Sequence, residues 1–307
     1  MPAATQTATI AAMPDTPAID AAQLAHLQTW QGRSETLTDL ITASPVDALS
    51  ATLDRDDPAP QDASVLPGLW HWMYFLPHAR AGEVGPDGHP KRGGFLPPVP
   101  LPRRMWAGAR LAWEPGNPLR VGQKVQRQST IRSVTHKAGR SGELLFVLVE
   151  HQYRNAHGLA LTEEHDIVYR AAARPGDPAP APQKPPLAGQ AAWSRTITPD
   201  PVLLFRYSAL TFNGHRIHYD RKYVTEVEGY AGLVVHGPLI ATLLLDLLRR
   251  QMPDAQLARF DFRAVRPTTD LHPFSVHGKP SSDGKTVELW AQDHEGWLTM
   301  QATATLL

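Results

Sequence analysis

The stretch P-L-I-A-T-L-L-L-D-L-L-R-R-Q, Pro238 to Gln251, decides the fold. Proline suits the first turn of a helix, where its missing N–H costs nothing, and two arginines suit the last turn, where they face the negative end of the helix dipole. Between them the residues are apolar on almost every side. A helix of that kind has no face to turn to water and must be buried. The segments that follow it, Leu257–Val265, Phe274–Lys279, Thr286–Gln292 and Leu298–Leu306, are strand-like and separated by turns such as Ser282-Asp283-Gly284. An antiparallel sheet is therefore the surface available to wrap the helix.

The pattern occurs twice. Asp200-Pro201-Val202 and Ser44-Pro45-Val46 each place a capping residue before a proline, and a β-prone stretch precedes each, Trp193–Thr198 and Thr36–Ile41. The first half carries its own strands, Arg104–Trp113, Val121–Val134, Leu144–Tyr153 and Ala160–Tyr169. Leu69–Leu76, L-W-H-W-M-Y-F-L, is the expected counterpart of the long helix. The proline-rich segment 173–190 reads as a semi-rigid spacer. The expected organisation is an N-terminal half over 20–172, the linker, and a C-terminal half over 191–307. The Pro/Gly-rich Gly82–Pro102 reads as a long loop inside the first half.

Composition narrows the function. Acidic and basic residues balance at 30 each in 307 residues, which leaves no field to attract nucleic acid or anionic membranes. Cysteine is absent, so thiol nucleophiles, disulfides and thiolate metal sites are excluded together. The N-terminal residues lack a signal-peptide pattern and no apolar run approaches the ~20 residues of a membrane span. The expectation is a cytoplasmic protein without membrane or nucleic-acid partners.

The chemistry concentrates in F-N-G-H-R-I-H-Y-D, Phe212 to Asp220, and in V-V-H-G-P-L ahead of the long helix. Within R-Y-S-A-L-T-F-N-G-H-R-I-H-Y-D and E-G-Y-A-G-L-V-V-H-G-P-L the chain resembles MaoC-type enoyl-thioester hydratases. It is most similar to the subgroup of mesaconyl-C4-CoA (3-methylfumaryl-CoA) hydratases and type 2 3-hydroxyacyl-thioester dehydratases. L-P-P-V-P-L-P-R-R-M-W-A-G and H-K-A-G-R-S-G-E-L-L-F-V extend the resemblance into the first half. It implies an α+β double hotdog, two antiparallel sheets each wrapped around a central helix and packed as a pseudo-dimer, either monomeric or a homodimer. It also implies hydration of an acyl-CoA without cofactor or metal. The family pattern places an aspartate five residues before the catalytic histidine; the matching positions here are Asn213 and His218. Asn213 cannot titrate and can only hold a water. Histidine suits a group that takes a proton from water and returns one near neutral pH. The resemblance assigns the Gly237 N–H to the oxyanion hole for the thioester enolate.

Around these residues His236 is expected to pack beside Gly237, and Arg206, Arg216 and Tyr219 are candidates for substrate contact. Both arginines could hold a carboxylate in a bidentate grip or could brace the loop against Asp220 or Glu228. Zinc held by His215, His218 and His236 is conceivable from residue types and disfavoured for want of supporting groups. His71, His78, His89, His136, His151, His157 and His165 read as surface or strand residues. Trp70, Trp72, Tyr74 and Phe75 read as core or acyl-pocket lining. With Asn213 unable to ionise, His218 is expected to govern the acid limb alone, near the ordinary histidine value of ~6.5. The best substrate is a branched C5 dicarboxylic acyl-CoA, mesaconyl-C4-CoA giving citramalyl-CoA. Itaconyl-CoA, 3-hydroxyacyl thioesters, thioester hydrolysis and non-catalytic acyl-CoA binding are the alternatives.

Overall fold

The computed structural model describes residues 19–139, 142–171 and 181–307. The first half supplies β1 (Ser34–Leu40), β2 (Arg103–Trp113), β3 (Lys124–Gly139), β4 (Gly142–Asn155) and β5 (Gly158–Arg170). The second supplies β6 (Trp193–Ile197), β7 (Leu257–Ala264), β8 (Phe274–Pro280), β9 (Thr286–Gln292) and β10 (Leu298–Leu306). They form one ten-stranded sheet in the order β1-β3-β4-β5-β2-β7-β10-β9-β8-β6, with every pairing antiparallel. Counted outward from the seam, β2-β5-β4-β3-β1 repeats as β7-β10-β9-β8-β6. The two halves thus share one topology and join edge to edge through β2 and β7, leaving neither seam edge free to aggregate. Gly108 makes the seam possible. A Cβ there would lie 2.3 Å from the Phe262 carbonyl oxygen, too close for any other residue.

Helices fill the inner face. α1 (Ala21–Gln28) covers one end of β3, while α2 (Ala43–Thr52) and α3 (Pro201–Leu210) pack on each other across the halves. α4 (Arg221–Glu226) follows the histidine-rich loop, and α5 (Gly237–Gln251) lies against β6, β8, β9 and β10. Ten consecutive residues of α5, Leu239–Leu248, are buried, as its apolar circumference requires. One of the ten is Asp246. Its oxygens meet Arg55 and Arg195 at 2.7 Å each and Arg250 at 2.8 Å, so the buried carboxylate is satisfied from three elements. Arg55 belongs to the first half, and Asp57 beside it pairs with Arg249 at 3.0 Å. The C-terminal end of α5 is therefore tied to the first half by charge as well as by packing.

The first half differs from expectation at two places. Leu69–Leu76 forms only a 3-10 turn over Trp70–Met73, bounded by left-handed backbone at Leu69 and Phe75. Pro67 and Pro77 limit the segment, and four aromatic side chains of low helix propensity crowd it. The cap of α2 is Thr42 rather than Ser44, without a side-chain cap bond, and Pro45 sits inside the first turn. Asp200 does cap α3, accepting the Leu203 N–H at 2.8 Å. Residues 140–141 of the Gly139–Gly142 turn and 172–180 of the linker lie outside the described residues. Among the described residues no helix is long and apolar enough to cross a membrane.

Candidate active site

The loop after α3 is set by short-range polar bonds. Asn213 Oδ1 accepts the His215 N–H at 3.0 Å, the turn that short amide side chains favour, and the Asn213 N–H returns to the Ser208 carbonyl. A single 3-10 turn, Arg216–His218, then swings His218 into the core. Its Nδ1 lies 2.7 Å from the Val234 carbonyl oxygen. A carbonyl can only accept, so Nδ1 carries the proton and Nε2 keeps the lone pair of a base. Burial pushes His218 down to about 4, against the pull of the Val234 carbonyl and helped by His89. The ring is thus neutral at neutral pH, and the expected value near 6.5 is corrected by this burial.

His236 caps α5 and is fully buried, with its ring stacked on His218 at a centroid distance of 3.7 Å and 18° between planes. It shares a 2.8 Å hydrogen bond with Ser208 of α3 and is held far below the usual histidine range by burial. The next residue, Gly237, begins the helix. Its N–H has no hydrogen-bond partner among the described residues, because first-turn N–H groups have no helical acceptor. A Cβ on Gly237 would meet nothing nearer than Met300 Cε at 4.0 Å. No side chain of Gly237 itself shields this positive helix end.

A loop of the first half completes the wall. Arg216 donates its backbone N–H to the Asp87 carbonyl at 2.9 Å, and Gly88 meets Gly214 so closely that a Cβ on Gly88 would lie 1.8 Å from the Gly214 oxygen. This brings His89 onto His215, centroids 4.1 Å apart, and His215 stands 5.4 Å from His218. Asp87 anchors the row, its carboxylate 3.1 Å from His89 Nδ1. Burial alone would raise Asp87, but its bonds with His89 hold it well below the usual carboxylate range. Asp87 escaped sequence analysis, and His89 was read there as a surface or strand residue, because their loop is remote in sequence; the one signal was the polar turn G-P-D-G-H amid prolines. The same reading holds for His151 and His165, which lie on β4 and β5, though on the buried side of the sheet, and fails for His71, which is buried in the 3-10 turn. Glu163 of β5 receives His71 Nε2 at 3.0 Å, Trp72 Nε1 at 3.1 Å and the Tyr153 hydroxyl at 3.1 Å.

Three candidates fall elsewhere. Arg206 is exposed on α3. Arg216 turns its guanidinium outward to Asp220, at 3.0 and 2.7 Å, and to the Pro86 carbonyl. Tyr219 is half exposed, with its hydroxyl on the Gly214 carbonyl at 3.0 Å. Arg216 and Tyr219 thus brace the loop from outside, while Ile217 and His218 between them are buried. His215, His218 and His236 do not converge on a point, since the last two stack face to face. Asp87, His89 and His215 do bring ligand atoms within 4.8 Å of one another. Yet Asp87 and one nitrogen of His89 already bond each other.

The ten-stranded sheet is the double hotdog architecture. A double-hotdog protein of Mycobacterium tuberculosis matches it with a TM-score of 0.51 at 14% identity, over 90% of this chain and 96% of that one. A MaoC-like dehydratase from Phytophthora capsici matches with 0.60 at 14% identity, over 92% and 98%. The chain belongs to the hydroxyacyl-thioester dehydratase type 2 family, whose model matches residues 69–270 across both halves. It is 48% identical over 280 residues to the mesaconyl-C(4)-CoA hydratase of Chloroflexus aurantiacus, covering 90% of this chain and 96% of that protein.

Proposed function

We propose that the protein is a hydro-lyase that reversibly adds water to an α,β-unsaturated acyl-CoA, and that its substrate is mesaconyl-C4-CoA, giving citramalyl-CoA. One observation carries the chemistry: a neutral buried histidine with its free Nε2 beside the N-terminus of α5. His218 Nε2 takes a proton from water held by the Asn213 amide as the water oxygen bonds to Cβ. The electron pair of the double bond moves onto the thioester, whose oxygen becomes an enolate facing the Gly237 N–H and the helix dipole. The His218 imidazolium then returns the proton to Cα. One water is consumed, no group leaves, and the base regenerates.

The C-terminal half is catalytic on this reading, and the first half is a degenerate copy that supplies the wall of the site. The dicarboxylic acyl chain is supported by the likeness to the mesaconyl-C(4)-CoA hydratase. A chain without cysteine fits the reducing cytoplasm where CoA esters are processed. The test follows enoyl-thioester absorbance and free CoA together, with mesaconyl-C4-CoA, itaconyl-CoA and crotonyl-CoA as substrates. Loss of the enoyl band without CoA release, fastest for mesaconyl-C4-CoA, is the expected result. CoA release in step with that loss would mean a thioesterase, and faster turnover of crotonyl-CoA would overturn the substrate.

A further inference from the structure

With Arg206 and Arg216 outside the site, no group named so far receives the second carboxylate of a dicarboxylic acyl chain. In mesaconyl-C4-CoA that carboxylate sits on Cβ, the carbon that accepts the hydroxyl. Its receptor must therefore stand close to the water-activating base, at the far side of the acyl group from the CoA thioester.

The inner face of β2 and β5 lies beside the histidine row, where the charge of Arg104 acts on both His89 and His215. Arg104 stands opposite Tyr169 in the β2–β5 register, two residues before Trp106, whose ring lies tilted against His165 at 4.1 Å. Tyr169 is fully buried, and its hydroxyl makes no well-formed hydrogen bond among the described residues, only a weak contact with the Arg104 guanidinium. Arg92 lies over the same ring, 5.4 Å from its centroid, but its two terminal nitrogens already donate to the carbonyls of Val99, Leu101 and Pro102. Arg104 is partly buried and has no carboxylate within 4 Å among the described residues. The carboxylate nearest in this row, Asp87, is occupied by the ring and N–H of His89.

The histidines do not add or remove charge. Burial, opposed by Asp87 and helped by the charge of Arg104, lowers His89. Burial and the neighbouring His89 bring His215 to about 2, and burial brings His165 to about 4, with Arg104 adding to both shifts. Arg104 is thus left without an ion-pair partner among the described residues. A partly desolvated cation without a partner is costly, and an unsatisfied hydroxyl beside it compounds the cost. Both are met by one incoming carboxylate, which can take the planar fork of an arginine and the hydroxyl together.

We propose that Arg104, assisted by the Tyr169 hydroxyl, holds the distal carboxylate of the acyl group and so sets the choice of a dicarboxylic substrate. This rests on the substrate reading above. The row His89–His215–His218, with ring separations of 4.1 and 5.4 Å, then links the receptor to the base. Specificity would come from the first half and chemistry from the second.

The test compares mesaconyl-C4-CoA with 3-methylcrotonyl-CoA, in which a methyl replaces the carboxylate. Arg104→Met should lower kcat/KM for mesaconyl-C4-CoA by roughly 10²–10³-fold, mostly through KM, and change 3-methylcrotonyl-CoA turnover by less than about threefold. Arg104→Lys should fall between, since a point charge lacks the fork. Tyr169→Phe, which keeps the ring that fills the core, should lose about tenfold on the dicarboxylate alone. Thermal melting of each variant checks the fold; if Arg104→Met does not fold, the lysine and phenylalanine variants carry the same comparison. Equal losses on both substrates, or no loss on mesaconyl-C4-CoA, overturn the receptor while the substrate reading stands. Wild-type enzyme that prefers 3-methylcrotonyl-CoA overturns the substrate reading and the receptor with it.

Discussion

The two halves share a strand order but spend their interiors differently. In the second half the inner face closes over α5, a 15-residue helix whose buried side chains are apolar apart from Thr242 and Asp246. In the first half the same place holds a single 3-10 turn, whose His71 meets the Glu163 and Tyr153 side chains of the sheet beneath it, where His151 and His165 also lie. A helix as apolar as α5 can only be a core; its N-terminus, once buried, becomes a site with an oriented dipole and free N–H groups. The polar interior of the first half is stabilised through its hydrogen bonds instead, and its loops are free to reach across the seam. On the proposed function the same fold separates two tasks, with chemistry where the helix is kept and shaping of the site where it is lost.

The largest expected effect tests the chemical half. His218→Ala should lower kcat/KM by about 10²–10⁴-fold while the melting temperature stays within a few degrees. An active His218→Ala enzyme would remove the contrast between the halves altogether. Glu163→Leu tests the other half: it leaves His71, Trp72 and the Tyr153 hydroxyl without their acceptor, and should cost about 2–4 kcal/mol in denaturant unfolding. A loss confined to activity would mean that the network is not structural.

Acid sharpens the comparison further. His151, His165 and His218 sit at about 3, 4 and 4, each lowered chiefly by burial, while the unfolded chain titrates near ~6.5. Below that pH the unfolded state binds protons that the folded state refuses. Stability should be constant above ~6.5 and fall as pH drops from there towards about 4, by up to ~1.4 kcal/mol per pH unit for each histidine. Urea unfolding from pH 8 to 5 measures the slope. Over that range kcat/KM should hold as long as the fold does, since His218 remains a base until about 4.

Smaller effects separate positioning from packing. Asn213→Ala removes a water-holding amide and should cost about tenfold in kcat, with no second ionisation in the pH profile. Gly237→Ala places a methyl where the only neighbour is Met300 Cε at 4.0 Å. Stability should stay within ~0.5 kcal/mol, as alanine is the better helix former, while kcat falls several-fold because the N–H is screened. Parallel loss of stability and activity in this variant would point to packing.

Much of this was legible along the chain. All ten strands lie where alternation and turn residues put them, because side-chain period and turn chemistry are local properties. α5 was equally plain, since its burial follows from its own composition. His218 and Gly237 could be named because their two segments are short and carry the family resemblance. Leu69–Leu76 misled, as aromatic richness marks burial without specifying helix. What only the tertiary structure decided is which side chains meet. A loop has no fixed side-chain period, so no spacing could tell that Arg216 faces solvent and His218 the core. Nor could any local rule bring Asp87 and His89 onto His215, or set Arg104 beside Tyr169 with no acidic partner among the described residues. Those contacts come from strand register and from the Gly88–Gly214 approach, which join residues far apart in sequence. Local sequence sets which elements form; the balance of charge and hydrogen bonding inside them exists only once they are packed.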